Sequence, residues 1–317
     1  MTLFKDSQDL TSKLKEKAAE LGFDACGVAR ATALVDQRAG LSEWLNKGYH
    51  AEMGYMENHF EKRLDPRELV PGAKSVVVVA QNYYPAAHPN PEAYYKISRY
   101  AFGKDYHYLV KQKLNRLADY LTEAYGPHTF RVFCDSAPVL ERSWAQMAGL
   151  GNYGKNTCLL LPRKGSFYFL GELITNIVLE PDFPFTKDLC GKCTKCMDAC
   201  PTNAIIAPGV LNAEKCISYL TIEHKSNIPD SYRGKCNGWI FGCDICQEVC
   251  PHNNNPKPHD ETALQPLYPI TNWNRKKWEM MSKGDYNKYF KKTRSPIARV
   301  SYEKLMDNIR TSCAASL

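Results

Sequence analysis

No run of about eighteen apolar residues occurs in this 317-residue chain, so no segment reads as a membrane-spanning helix. The opening stretch, MTLFKDSQDLTSKLKEK, lacks an apolar core and a small-residue cleavage site. A secretory signal is therefore not expected, and a cytoplasmic protein is. No G-x-G-x-x-G follows a strand-like segment, and Gly149-Leu150-Gly151 is only a bare G-x-G, so a dinucleotide-binding fold is not indicated. Low-complexity sequence is confined to Asn253-Asn254-Asn255. An excess of one charge is also missing from most of the chain. Residues 1–270 carry 30 Lys and Arg against 30 Asp and Glu, and the whole net charge of +7 falls in residues 271–317.

Cysteine is what the chain has in excess. There are thirteen, an odd number. Reducing conditions in a cytosol make a disulfide framework a poor explanation, which leaves metal or catalytic use. Residues 190–201 read CGKCTKCMDACP, placing Cys190, Cys193, Cys196 and Cys200 in the C-x2-C-x2-C-x3-C-P run of bacterial ferredoxins. In that run three thiolates hold one [4Fe–4S] cluster and the fourth serves its neighbour. The partner run is CDICQEVCP at 243–251, with Cys243, Cys246 and Cys250. A complete second copy would need Cys at 240, where Ile240 stands, so one ligand comes from elsewhere, with Cys216 and Cys236 as candidates. Two four-coordinate clusters then follow: Cys190, Cys193, Cys196 and Cys250 for the first, and Cys200, Cys243, Cys246 and one of the two candidates for the second. Paired C-x2-C units also build structural zinc sites, but zinc does not account for two C-x3-C-P endings. Cys26, Cys134, Cys158 and Cys313 read as ordinary buried or surface residues.

Ahead of the cysteines, helical and β-branched patterns alternate. Helices are expected over Ser7–Leu21, Leu41–Met56 and His107–Tyr125, and after Asp135-Ser136-Ala137-Pro138 to about Ala148. Strands are expected at Ser75–Ala80, Arg131–Cys134, Leu159–Leu161 and Phe167–Ile174. The pattern gives a mixed α/β (α+β) domain over residues 1–180, a ferredoxin-type two-cluster domain over 181–260, and a basic tail over 261–317 that packs on the core. The tail interleaves Arg275, Lys276, Lys277, Lys288, Lys291, Lys292, Arg294 and Arg299 with Trp273, Trp278, Tyr286, Tyr289 and Phe290. Cations neutralise phosphates and aromatic rings stack on unpaired bases, which suggests RNA; a solvated basic face with rings packed inward is the plainer alternative.

Four motifs together resemble the epoxyqueuosine reductases, cobalamin-dependent enzymes of transfer-RNA queuosine synthesis: CDSAPVLERSWAQMAGLGNYGKNT at 134–157, CGKCTKCMDACP, CISYLTIE at 216–223 and GCDICQEVCP at 242–251. The resemblance spans about residues 20 to 310. It implies a cobalamin-binding domain related to reductive dehalogenases, two [4Fe–4S] clusters, and reduction of the epoxide of epoxyqueuosine at the anticodon wobble position. It also implies that Cys216 is the missing ligand and that Asp135 is the proton donor, although an Asp or Ser before Pro138 is equally a helix cap. Ser136, Lys155, Asn156, Thr157, Gly242 and Asp244 are the expected cofactor contacts, and Lys291, Lys292, Arg294 and Arg299 the expected tRNA contacts. A flavodoxin- or ferredoxin-type one-electron reductant and a monomeric state complete the expectation. A cobalt-ligating D-x-H-x-x-G motif is missing: Asp105-Tyr106-His107 continues as Tyr108-Leu109-Val110, so His107 reads as an ordinary helix residue. A reductive dehalogenase and a simple ferredoxin-type carrier are the alternative functions.

Overall fold

The computed structural model describes residues 7–86, 94–266 and 270–312, so Cys313 lies outside the described residues. At its centre is a four-stranded sheet of β1 (Ala25–Arg30), β2 (Ser75–Asn82), β3 (Phe130–Phe133) and β4 (Tyr168–Thr175), in the order β1-β2-β4-β3. Every neighbouring pair is antiparallel. The run SVVVVAQN of β2 is buried along its whole length. That suits a strand covered on both faces, where apolar side chains need not alternate with polar ones. The register sets Val78 opposite Glu172 on one side of β4, and Phe133 opposite Glu172 on the other.

Helices cover both faces of the sheet. On one lie α1 (Ser7–Glu20) and the twenty-residue α3 (Tyr106–Tyr125), which buries Val110, Leu114, Leu117 and Leu121 against Val77, Val79 and Leu173. Burial of each such side chain contributes roughly 1.5–3 kcal/mol. Gly171 permits the close approach: a Cβ there would meet Val110 Cγ1 at 2.5 Å. On the other face α4 (Glu141–Met147) sets Trp144 and Ala145 against Val76, Val78, Phe133 and Ile174.

Two local expectations are revised. The helix expected over Leu41–Met56 is instead α2 (Val35–Asn46), followed by a separate 3-10 turn at Gly54–Met56. Gly48, at φ +66°, lies just beyond the end of α2 and breaks the pattern. Strand β1 has no strong signature, being short and containing Gly27. That glycine is required because a Cβ there would meet the Ala148 carbonyl oxygen at 2.1 Å.

Beyond residue 180 regular structure becomes sparse. The short helices Lys195–Asp198 and Ile245–Glu248 each lie within a cysteine run. The last segment closes a further core in which Trp273, Trp278, Tyr286, Phe290 and Ile309 pack with Tyr95, Ile97, Phe102, Ile240 and Phe241. The rings of Trp278, Tyr286 and Phe290 are each 1% exposed, so they support the fold and offer no stacking surface to a base. No described helix is long and apolar enough to cross a membrane.

Candidate functional site

The cysteine loops form two adjoining groups. Cys190, Cys193, Cys196 and Cys250 line one small cavity of about 170 Å³, together with Lys155, Asn156 and His252. These are the four thiols that the spacing assigns to one cluster. Cys216 stands within electrostatic reach of Cys200 and Cys246, and Cys243 within reach of Cys216 and Cys246. Burial pushes the Cys216 thiol up to about 11 and the Cys196 thiol likewise, so thiolates here need a metal's charge. Cys236 is fully buried in an apolar cluster, its Sγ 3.8 Å from the Tyr232 carbonyl oxygen. Geometry therefore favours Cys216 of the two candidates.

Several residues expected to contact the cofactor brace these loops. Lys155 Nζ donates to the carbonyls of Gly191 at 2.8 Å and Cys193 at 2.9 Å, and its backbone N–H donates to Cys190 Sγ. Asn156 is buried, with its Nδ2 donating to the Cys246 carbonyl at 3.3 Å. Asp244 is wholly buried, bonded by Ser98 and by the Arg99 backbone N–H at 2.9 Å, and paired with the Arg99 guanidinium at 3.1 Å. Gly242, at φ +69°, lies where a Cβ would meet Ser98 Cβ at 2.5 Å. Ser136 is exposed, its Oγ accepting from Lys111 Nζ at 3.1 Å, and Thr157 is partly exposed. Cys158 stands beside the Cys246 thiol, which lowers its own below the usual range.

Asp135 ends the segment that leaves β3 and holds a left-handed backbone, φ +56°. It caps no helix: α4 begins only at Glu141. Tyr106 Oη donates to its Oδ2 at 2.7 Å, and His107 Nε2 lies 3.2 Å from the same oxygen. The other ring nitrogen of His107 lies 2.6 Å from Asp105 Oδ1. Arg299 reaches in from the tail, 4.0 Å from Asp135 Oδ2, and pairs with Glu223 at 2.6 Å. Tyr100, Asp105, Tyr106, His107, Arg294 and Arg299 line an adjoining cavity of about 380 Å³.

Protons distribute unevenly in this group. Burial works against the imidazolium, but bonds to Asp105 and Asp135 outweigh it and push His107 up to about 9. Burial raises Asp135, yet His107 and Tyr106 outweigh it and bring the carboxyl down to about 2. At neutral pH the proton therefore rests on His107, and Asp135 is a carboxylate. His107, which in the sequence reads as an ordinary helix residue, is the member that sequence reasoning misses; the signal available is its place at the start of α3, beside the capping Asp105.

The tail residues divide. Arg299 belongs to the Asp135 group, and Arg294 lines its cavity with its guanidinium 5.3 Å from the Tyr108 ring. Lys291 and Lys292 are exposed.

A family model described as "Epoxyqueuosine reductase QueG, DUF1730" matches residues 63–136, and one described as "4Fe-4S double cluster binding domain" matches 189–253. The epoxyqueuosine reductase of Cyclobacterium marinum is 50% identical over 300 residues, covering 94% of this chain and 95% of that protein. A crystal structure of epoxyqueuosine reductase with an epoxyqueuosine-modified tRNA-Tyr stem loop superposes with a TM-score of 0.89 at 33% identity, covering 97% of this chain and 81% of that one. A catabolic reductive dehalogenase crystallised with 3-bromo-4-hydroxybenzoic acid shares the fold alone, at 18% identity and a TM-score of 0.50, over 80% of this chain and 33% of its own.

Proposed function

Because this chain belongs to the epoxyqueuosine reductase family, we propose that it reduces the epoxide of epoxyqueuosine in tRNA to the alkene of queuosine. The observation that carries the reading is the Asp135 carboxylate, gripped by Tyr106 and His107 beside a cavity that also receives Arg299. Loss of the epoxide oxygen as water takes two electrons and two protons. Two [4Fe–4S] clusters held by the cysteines would supply the electrons one at a time, and the groups at Asp135 handle the protons.

Cobalamin fits the residues present in part. Thr157 is partly exposed and Gly242 presents no side chain, while the exposed Ser136 hydroxyl accepts from Lys111; Lys155, Asn156 and Asp244 bond within the chain. When bound, it supplies a low-valent metal that takes up single electrons and reduces the epoxide carbon. The chain's own part is proton management. Asp135 rests as a carboxylate, so its role as donor requires a proton from His107 Nε2, 3.2 Å away. The two atoms lie within direct reach of each other, so the exchange needs no intervening water. Arg299 balances the charge of Asp135 and Glu223 at the mouth.

Lys291, Lys292 and Arg294 meet the phosphates of the tRNA, and the buried tail aromatics take no part in stacking. Electrons enter from a flavodoxin- or ferredoxin-type protein at the cluster of Cys190, whose loop carries the exposed Lys192 and Lys195. The protein acts as a cytoplasmic monomer. A dehalogenase would use the same cofactors on a halogenated substrate, and a simple carrier would have no use for the Asp135 group. Anaerobic reconstitution with cobalamin and iron–sulfur, then mass spectrometry of modified tRNA, tests the reading: conversion to queuosine supports it, and an unchanged nucleoside with intact cofactors opposes it.

A further inference from the structure

Behind the Asp135 loop lies an arrangement that this chemistry does not use. Glu172 sits in the middle of β4, directly between Val78 and Phe133, and is 0% exposed. Neither of its carboxyl oxygens has a hydrogen-bond donor among the described residues. A lone carboxylate in that position is costly, because burial strips its water without replacing it. Leu170 and Ile174, which share its face of the strand, pack with Trp144 of α4. The polar group that meets Glu172 there is the carboxyl of Glu141, the first residue of α4.

Two carboxylates have no hydrogen between them and repel; a carboxylic acid and a carboxylate bond. Glu141 is in turn tied to the active site, since its Oε1 accepts the backbone N–H of Asp135 in a short bond. This bond holds a non-glycine residue in the left-handed region, which is rare and needs a specific partner. The chain of contacts runs from Glu172 through Glu141 to the Asp135 main chain, and from the Asp135 side chain to His107 and Tyr106.

We propose that Glu141 and Glu172 share one proton, and that this carboxyl pair is a positioning device that holds the Asp135 main chain so that its side chain meets His107 and Tyr106. The inference rests on the reading of Asp135 given under Proposed function. Burial and the neighbouring Asp135 charge push Glu141 up to about 8, and burial and the adjacent Glu141 hold Glu172 well above the usual carboxylate range. The pair therefore holds its proton at neutral pH and loses it in mild alkali, as one coupled unit. The groups facing it are Asp135 and Cys134 from the loop after β3, His107 from α3 and Arg142 from α4, with Lys111 of α3 beyond them beside Cys134. Asp135 favours retention of the proton, whereas Arg142 and His107 favour its release; the Cys134 thiol, pushed well above its usual range by burial, is neutral. Once it leaves, two adjacent anions repel and Glu141 is displaced from the Asp135 N–H.

Glu172→Gln separates the possibilities, because a carboxamide donates to Glu141 without needing a proton. The holoenzyme and its Glu172→Gln, Glu141→Gln, Glu141→Ala and Asp135→Asn variants are compared in two ways. The first is infrared difference spectroscopy across the alkaline range. Wild type is expected to show the carbonyl stretch of a buried carboxylic acid disappearing near pH 8, Asp135→Asn to keep that band, and both Gln variants to lack it. The second is the pH profile of kcat. Glu172→Gln is expected to move the alkaline limb from near 8 to near 9, where His107 then governs it. Glu141→Ala lowers kcat about tenfold to a hundredfold with KM little changed, and Glu141→Gln, which keeps an acceptor for the N–H, recovers most of it. A wild-type protein without the acid band overturns the shared proton, whatever the activity of Asp135→Asn. An unmoved alkaline limb in Glu172→Gln, or full kcat in Glu141→Ala, overturns the positioning role.

Discussion

His107 Nε2 lies 3.2 Å from Asp135 Oδ2, while the opposite nitrogen of the same ring lies 2.6 Å from Asp105 Oδ1. The imidazole thus stands between two carboxylates, one of which caps α3 through the His107 backbone N–H. A ring so placed is held in one orientation and kept protonated, and under the proposed function it stores the proton that the leaving oxygen needs.

His107 links stability to pH. Its folded value, pushed up to about 9, exceeds the ordinary His value of 6.5. The stabilisation is therefore fully present below about pH 6.5 and is lost as pH rises through about 9. His107→Gln is expected to be less stable than wild type at pH 6, with the gap closing toward about pH 9.5 in denaturant titrations. A gap independent of pH contradicts the assigned charge.

Spacing alone leaves Cys216 and Cys236 as alternatives, and their surroundings differ. Cys216→Ser is expected to lose one of two clusters, halving the iron per chain, whereas Cys236→Ser keeps both. Chemical iron determination and electron paramagnetic resonance after anaerobic reconstitution check this. A Cys236→Ser protein short of iron instead reverses the ligand set.

Much of this architecture is legible in the chain. The SVVVVA run announces a central strand because burial on both faces removes the need for polar alternation. The cysteine spacing announces two clusters because thiolate geometry is local. What stays hidden depends on contacts between distant residues. His107 meets Asp135 only because α3 lies on the sheet beside the end of β3. Glu172 looks like an ordinary acid in its sequence, and only its register between Val78 and Phe133 reveals its burial. Lys155 and Asn156 follow a Gly-containing turn that resembles a cofactor loop, but the loops of Cys190 and Cys246 claim their donors. Arg299 reads as one more surface cation because its tail neighbours are basic, and folding brings it to Asp135.

Lys291 and Lys292 are the exposed cations assigned to tRNA. Reversing both to Glu is expected to weaken binding across tRNA sequences and to reduce the slope of log K against log salt by about one for each phosphate no longer neutralised. Fluorescence anisotropy at several salt concentrations measures it. An unchanged slope places the phosphate-binding cations elsewhere.

Trp278 is 1% exposed and stacks with Phe290 at an interplanar angle of 7°. Trp278→Ala is expected to cost about 3–5 kcal/mol of stability through the cavity it leaves. Chemical denaturation measures that loss. Unchanged stability together with a specific defect in tRNA binding would return the ring to the surface role that the sequence suggests.

Asp135→Asn tests the central claim most directly. The side chain keeps its size and can still accept from Tyr106, but it no longer carries the charge that holds the His107 proton or a carboxyl that can pass it on. The measurement is mass spectrometry of epoxyqueuosine-containing tRNA after anaerobic incubation with wild type or Asp135→Asn, each verified to hold its clusters and cobalamin. Conversion to queuosine by wild type and none, or a rate lower by about a hundredfold or more, by the variant is the expected result. Equal conversion by both would contradict the assignment of Asp135 as the proton-donating carboxyl.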